Sequence, residues 1–146
     1  VVIHDADLEY FPDDLVNMWE LSLKHENSLI LGSRFIGKET RKNIYFRTYA
    51  ANRFISLFFS IVNFYKISDV ASCYKLFPTQ VFKNINFKEN GFSIEIEILS
   101  KFLRYNRSII EVPIKYNGRS YEEGKKIKAS DGLLYLLSTL RYRFFD

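Results

Sequence analysis

The stretch Val1-Val2-Ile3-His4-Asp5-Ala6-Asp7-Leu8-Glu9 decides how the rest of the chain is read. Its apolar start predicts a β-strand up to Ile3, and carboxylates follow at alternate positions, Asp5, Asp7 and Glu9. In open α/β sheets, ligands bind beyond the carboxyl ends of the strands. Carboxylates placed there suit a divalent cation, because Mg²⁺ takes one or two protein carboxylates together with substrate phosphates. The same short pattern also suits a polar loop whose Asp residues cap the following helix.

Working outward, Pro12-Asp13-Asp14 predicts a helix start, with Leu15, Met18, Trp19 and Leu23 at helical spacing behind it. Residues 28–31 read as a short strand closed by Gly32, and 33–43 as a polar, basic loop. A long helix, apolar on more than one side, is expected over 47–65, then a strand over 72–77 and a short helix from Pro78. Phe92, Ile94, Ile96 and Ile98 alternate like a strand, but Leu99, Phe102 and Leu103 continue at helical spacing. A helix over about 93–104 is therefore expected. A strand over 108–116 leads into a turn at Gly118, and 125–130 reads as a charged connector. Asp131 is expected to cap a last amphipathic helix ending near Phe144. No repeat or linker breaks this alternation of β and α, which predicts a single α/β domain over 1–146.

The totals agree with that. A chain of 146 residues, 47% of them apolar, can bury one core. It begins inside a strand without Met, so it reads as a fragment whose upstream part is missing. A net charge of +4 does not argue for nucleic acid, and no nucleic-acid partner is expected. Cys73 stands alone, which excludes an internal disulfide and zinc-type spacing and fits a reducing compartment. The most apolar stretch, 54–65, is too short to span a bilayer and contains Ser56, Ser60 and Asn63.

Four further clusters carry chemistry. Arg34, in Gly32-Ser33-Arg34, sits at a strand's carboxyl end, where a guanidinium is placed to grip a phosphate or simply to face solvent in a turn. Asp69 precedes a buried strand, where it can face a substrate hydroxyl, orient a basic residue or serve as a loop residue. Glu95 shares a helical face with Phe92 and Leu99, and its burial demands a partner, so it is an active-site or structural carboxylate and the more informative of Glu95 and Glu97. The densest cluster runs over 111–127, Glu-Val-Pro-Ile-Lys-Tyr-Asn-Gly-Arg-Ser-Tyr-Glu-Glu-Gly-Lys-Lys-Ile. There a strand delivers Arg119 into a turn and Gly124 precedes Lys125 and Lys126, a basic loop able to close over a diphosphate.

In order along the chain, D-A-D-L-E at Asp5 to Glu9, G-S-R-F at Gly32 to Phe35, D-V-A-S-C-Y-K at Asp69 to Lys75, G-F-S-I-E-I-E-I at Gly91 to Ile98, and the stretch over 111–127 resemble the family-two glycosyltransferases of GT-A fold. The similarity is to the polyprenyl-phosphate branch, the dolichol-phosphate mannose or glucose synthase-like enzymes. It implies a Rossmann-related, mixed and mainly parallel sheet flanked by helices, without the family's first half, which carries most of the nucleotide-base pocket. It also implies that Asp5 and Asp7 hold Mg²⁺ or Mn²⁺ against the donor diphosphate, with Glu9 close to the metal. Arg34 would contact the acceptor phosphate, Asp69 would be an active-site carboxylate, and Arg119, Lys126 and Lys125 would bind donor phosphates.

What the resemblance implies chemically is inverting, metal-assisted transfer from a nucleotide-sugar donor to a polyprenyl phosphate acceptor. Catalytic roles fall to Asp7 and Asp69, the latter orienting or electrostatic. The expected place is the cytoplasmic membrane surface, reached by the last helix (Leu133, Leu134, Leu137, Leu140, Arg141, Arg143) and by residues 54–64, and a homo-oligomer is among the expected partners. Without the base pocket, the chain alone is expected to bind donor weakly and turn over little. Alternatives are a saccharide acceptor in cell-surface polysaccharide synthesis and a catalytically silent remnant. A haloacid-dehalogenase-type phosphatase is disfavoured by Leu8-Glu9 after the Asp pair. A processive synthase is disfavoured because its Gln-x-x-Arg-Trp signature is absent, Gln80 and Trp19 being the sole residues of their types.

Overall fold

A computed structural model describes residues 1–37, 41–43, 45–119 and 129–146. In chain order its elements are β1 (Val2–Ile3), α1 (Asp14–Lys24), β2 (Leu29–Ser33), β3 (Arg41–Lys42), α2 (Phe46–Asn63), β4 (Lys75–Leu76), α3 (Thr79–Asn84), α4 (Ile94–Tyr105), β5 (Ile109–Pro113), β6 (Tyr116–Asn117) and α5 (Ala129–Phe144). The expected alternation is present, and the architecture is a small mixed sheet flanked by helices.

The sheet is built around β2, whose residues are all buried, as befits a central strand covered on both faces. Strand order is β1-β4-β2-β5, and β5 lies parallel to β2 with Leu29 opposite Ile109 and Gly32 opposite Val112. On the other side β4 runs antiparallel to β2, and β1 antiparallel to β4. The expectation of a mainly parallel sheet is corrected here, since only the β2–β5 pairing of this sheet is parallel. The reason lies in the segment after α2, which runs back along that helix, the Ile67 amide donating to Ser60 Oγ and the Val70 amide to Ser56 Oγ, and so returns the chain toward the start of α2. Asp69 meets Arg34 at the carboxyl end of β2, so the strand that follows must run back the other way. A second, two-stranded sheet pairs β3 with β6 in parallel.

Period-two alternation along β2 splits the core. Leu29 and Leu31 join Ile55, Phe59, Phe102 and Tyr142 beneath α2, α4 and α5, whereas Ile30 packs with Met18, Tyr74 and Ile114 on the opposite face. Gly32 is needed between them, because a Cβ there would lie 2.9 Å from both Ile114 Cγ2 and Tyr74 Cβ. Gly118 likewise lets the small sheet close, since its Cβ would stand 2.9 Å from the Asn43 carbonyl.

Several local expectations change. In α1 it is Met18 and Asp14 that are buried, Asp14 accepting the Lys115 amide at 2.7 Å, while Trp19 and Leu23 face outward at 58% and 59% exposure. Of the strand expected over 72–77, only Lys75–Leu76 joins a ladder. The segment expected as one strand over 108–116 divides at Pro113 into β5 and β6. Helix α5 begins two residues before Asp131, which therefore sits in the first turn, where a carboxylate complements the positive helix end, rather than at the cap. Among the described residues, no helix is long and apolar enough to cross a membrane.

Candidate active site

Because β1, β2 and β5 share one direction, their carboxyl ends lie on one edge of the sheet. A cleft of ≈ 530 Å³ opens there, lined by Asp5, Asp7, Arg34, Glu95, Arg119 and Tyr135 among others. Side chains far apart in the chain thus meet in one place.

The acidic turn after β1 owes its shape to Leu8, which adopts a left-handed conformation (φ 63°) with its side chain in solvent. A β-carbon resists that region, so the turn is held by its contacts. The Glu9 amide donates to Asp7 Oδ1 at 3.1 Å, the Asn117 amide donates to the Glu9 carbonyl at 2.9 Å, and Tyr10 bridges to Tyr116. The turn is thereby fixed to β6, and Arg119 follows two residues after that strand. The Arg119 guanidinium lies 3.2 Å from both Asp7 Oδ2 and Glu9 Oε1, and its backbone amide donates to Glu9 Oε1 at 2.8 Å. Tyr116 donates to Glu9 Oε2 at 2.7 Å. The acidic turn and Arg119 therefore meet directly. Lys125 and Lys126, expected to continue this cationic segment, lie outside the described residues.

These contacts divide the three carboxylates. Burial would push Glu9 up, but the Arg119 amide, the Tyr116 hydroxyl and the Arg119 guanidinium outweigh it and hold the carboxyl below its usual value. Asp5 goes the other way, raised by desolvation first and by the neighbouring Asp7 charge second. Repelling carboxylates that line one cleft are a chemically suitable pair for a divalent cation. Both oxygens of Glu9, the third residue named for the metal, are engaged by Tyr116 and Arg119, so Asp5 and Asp7 are the fitting holders. Among the described residues no group of three or more His, Cys, Asp or Glu surrounds a common point.

Arg34 and Asp69 form a buried, two-pronged ion pair. Arg34 Nε and Nη2 each lie 2.7 Å from a different Asp69 oxygen, and the Arg34 amide donates to Asp69 Oδ2 at 3.0 Å. Arg34 is 7% exposed and Asp69 fully buried. Burial opposes the charge on Arg34, but the Asp69 carboxylate beside it holds the guanidinium well above the ordinary arginine value. The Tyr116 ring, 5.0 Å from Cζ, covers one of its faces. Asp69 therefore holds the Arg34 side chain and backbone in place. Ser68 beside it is fixed by Glu111, which accepts from the Ser68 hydroxyl at 2.6 Å and amide at 2.9 Å.

Glu95 is buried at the floor of the cleft, ion-paired with Lys75, and Lys75 also donates to the carbonyls of Val70 and Ser72. Glu97 is fully buried as well, but it is structural, collecting the Lys88 and Glu89 amides and the Lys101 ammonium. Sequence reasoning missed Lys75, Glu111 and Tyr116. The available signal for Lys75 was a lysine set inside an apolar strand, between Tyr74 and Leu76. Burial pushes the Cys73 thiol up to about 12, away from the reactive thiolate form.

The Lys75–Glu95 pair yields a pH-dependent prediction. Burial raises the Glu95 carboxyl above its unfolded value of 4.5, so the folded state holds that proton more tightly than the unfolded chain. Ionising Glu95 consequently costs stability as pH rises from its unfolded value toward its higher folded one. Lys75→Met removes the partner that limits this rise. The variant should lose about 1–3 kcal/mol at pH 7, and the difference from wild type should shrink below the unfolded value of 4.5, where Glu95 is protonated in both. Urea unfolding at both pH values checks it; a pH-independent difference would contradict the assignment.

No family model matches the chain.

Proposed function

We propose that this chain forms the catalytic cleft of an inverting family-two-like glycosyltransferase, moving a sugar from a nucleotide diphosphate sugar to a polyprenyl phosphate at the cytoplasmic membrane surface. The observation that carries the reading is the meeting of Asp5, Asp7, Arg34 and Arg119 in one cleft at the carboxyl edge of the sheet.

The chemistry follows from charge. A phosphate monoester, with its second pKa near about 6, is largely dianionic at neutral pH. It attacks the anomeric carbon without a strong base, which suits a site where Asp69 is committed to Arg34. Asp69 engages Nε and Nη2, leaving the Arg34 Nη1 edge uncommitted to it and able to orient the acceptor phosphate. Charge accumulates on the departing diphosphate, and that is where the site concentrates its cationic means. Asp5 and Asp7 would hold Mg²⁺ or Mn²⁺, which neutralises diphosphate charge when bound. Arg119 is tethered to Asp7 and Glu9 at the rim and is half-exposed, so it can exchange those carboxylates for a donor phosphate.

The test incubates the complete protein carrying these residues with a panel of labelled nucleotide sugars, Mg²⁺ or Mn²⁺ and a short polyprenyl phosphate. Label from one donor should pass into the lipid extract. Label that stays in the aqueous phase with every donor, or that moves to a saccharide acceptor instead, rejects the reading.

A further inference from the structure

Helices α2 and α5 lie side by side over the core, and both start at the cleft, where Thr48 and Asn52 of one and Gly132 and Tyr135 of the other help line it. From Thr48 to Asn63, at 1.5 Å per residue, α2 extends about 22 Å away from it. At the far end is a second pocket of ≈ 260 Å³, whose walls include Asn63, Ser100, Arg104, Arg107, Tyr142 and Arg143.

The outer faces between the two pockets are apolar. Phe54, Leu57 and Ile61 form a line on α2, continued by Phe64 just past its end, each 58% exposed or more. Leu133, Leu137, Leu140 and Phe144 form its counterpart on α5. Apolar stripes of this length on adjacent helices mark an interaction surface. Their charge is one-sided, since α2 contains arginines but no acidic residue, and the one carboxylate of α5, Asp131, stands at the cleft end.

Within the far pocket the arginines differ in commitment. Helices α2, α4 and α5 all end there, and helix carboxyl ends are partly negative, so some positive charge is spent locally. Arg107 does this, donating to the carbonyls of Asn63 at 3.1 Å and Phe64 at 2.8 Å. Among the described residues Arg104 has no hydrogen bond or ion pair, and Arg143 has only its packing over the Phe64 ring at 5.9 Å. The buried Ser100 hydroxyl, 2% exposed, has no hydrogen-bond partner. Uncommitted guanidinium groups beside an orphaned hydroxyl suit a phosphate oxygen.

We propose that the α2–α5 face docks on an anionic phospholipid bilayer and that the arginine-lined pocket receives a headgroup phosphate. A soluble phosphate would use the pocket but not the apolar stripes. An anionic lipid surface uses both, the stripes entering the acyl boundary while Arg104 and Arg143 meet phosphates. The docking deepens the membrane-surface part of the reading above and rests on it, and it would hold the cleft against the layer that supplies a lipid acceptor.

The test is sedimentation of the protein with vesicles of phosphatidylcholine alone or mixed with phosphatidylglycerol, without donor. Wild type should sediment with the acidic vesicles in a salt-sensitive way. Reversing both charges, Arg104→Glu with Arg143→Glu, should weaken that binding about tenfold or more, and Leu137→Asp should weaken it without altering the folded spectrum. Asp7→Asn should sediment like wild type, so failure of sugar transfer alone is distinguishable from failure of docking. Equal binding to neutral and acidic vesicles, or indifference to the paired reversal, would overturn the proposal. So would saturable binding of inorganic phosphate that the reversal abolishes while vesicle binding persists, which would assign the pocket to a soluble ligand.

Discussion

Asp69→Ala should destabilise the fold by about 3–5 kcal/mol, read as a lower urea midpoint at unchanged slope. Wild-type Arg34 is buried with two hydrogen bonds of 2.7 Å to Asp69. Removing the carboxylate leaves a guanidinium that cannot shed its proton and, at 7% exposure, is only poorly solvated in its partner's place. A buried carboxylate orphaned in the same way, as Glu95 would be in Lys75→Met, escapes by taking up a proton, so the arginine case is the costlier. Domains have only about 5–15 kcal/mol in total, so the variant should sit near the edge of folding. The double variant Arg34→Met with Asp69→Leu should recover most of the loss, since apolar replacement of a buried pair is often neutral. A single-variant cost below about 1 kcal/mol would mean that water reaches the pair and that Arg34 is not rigidly presented to the cleft.

That pair also shows where the sequence stops being informative. Arg34 after β2 and Asp69 after α2 are each noticeable, because a charge beside an apolar run must go somewhere. Their partnership, 35 residues apart, depends on where the segment returning along α2 lands the chain, and no local pattern encodes that. The same landing turned β4 antiparallel against the expectation. Patterns with a period fared better. The helix α4 was legible because Leu99, Phe102 and Leu103 continue a helical face that a strand would scatter. Spacing does not say which face finds cover, and in α1 the one chosen includes Met18 rather than Trp19 and Leu23. The alternate carboxylates of the opening turn were plain to read. The division of labour among them was not, because it follows from Tyr116 and Arg119, more than a hundred residues away, taking both oxygens of Glu9.

Asp7→Ala should reduce sugar transfer by about 10³-fold or more while costing the fold only the 3.1 Å hydrogen bond from the Glu9 amide, about 0.5–1.5 kcal/mol. The two readouts separate because the contacts of Asp7 lie at the rim. Its ion pair with Arg119 spans 3.2 Å between groups that are 40% and 21% exposed, and pairs of that kind add little to stability. Its role in the reaction is different in kind. Asp5 alone is one carboxylate, and it is already drawn toward the neutral form by desolvation. Without Asp7 the cleft would keep one weakened oxygen donor for Mg²⁺ or Mn²⁺, and charge on the departing diphosphate would fall to Arg119. Excess metal should therefore recover part of the rate in Asp7→Asn, which keeps the side-chain shape and one neutral oxygen, and little in Asp7→Ala. Glu9→Gln should behave in the opposite sense, loosening the turn that positions Arg119 and raising the apparent KM for donor more than it lowers kcat. If Asp7→Ala instead transfers sugar within tenfold of wild type, Asp7 serves only to tether Arg119, and the acidic turn is a structural latch on β6 rather than a metal-holding edge.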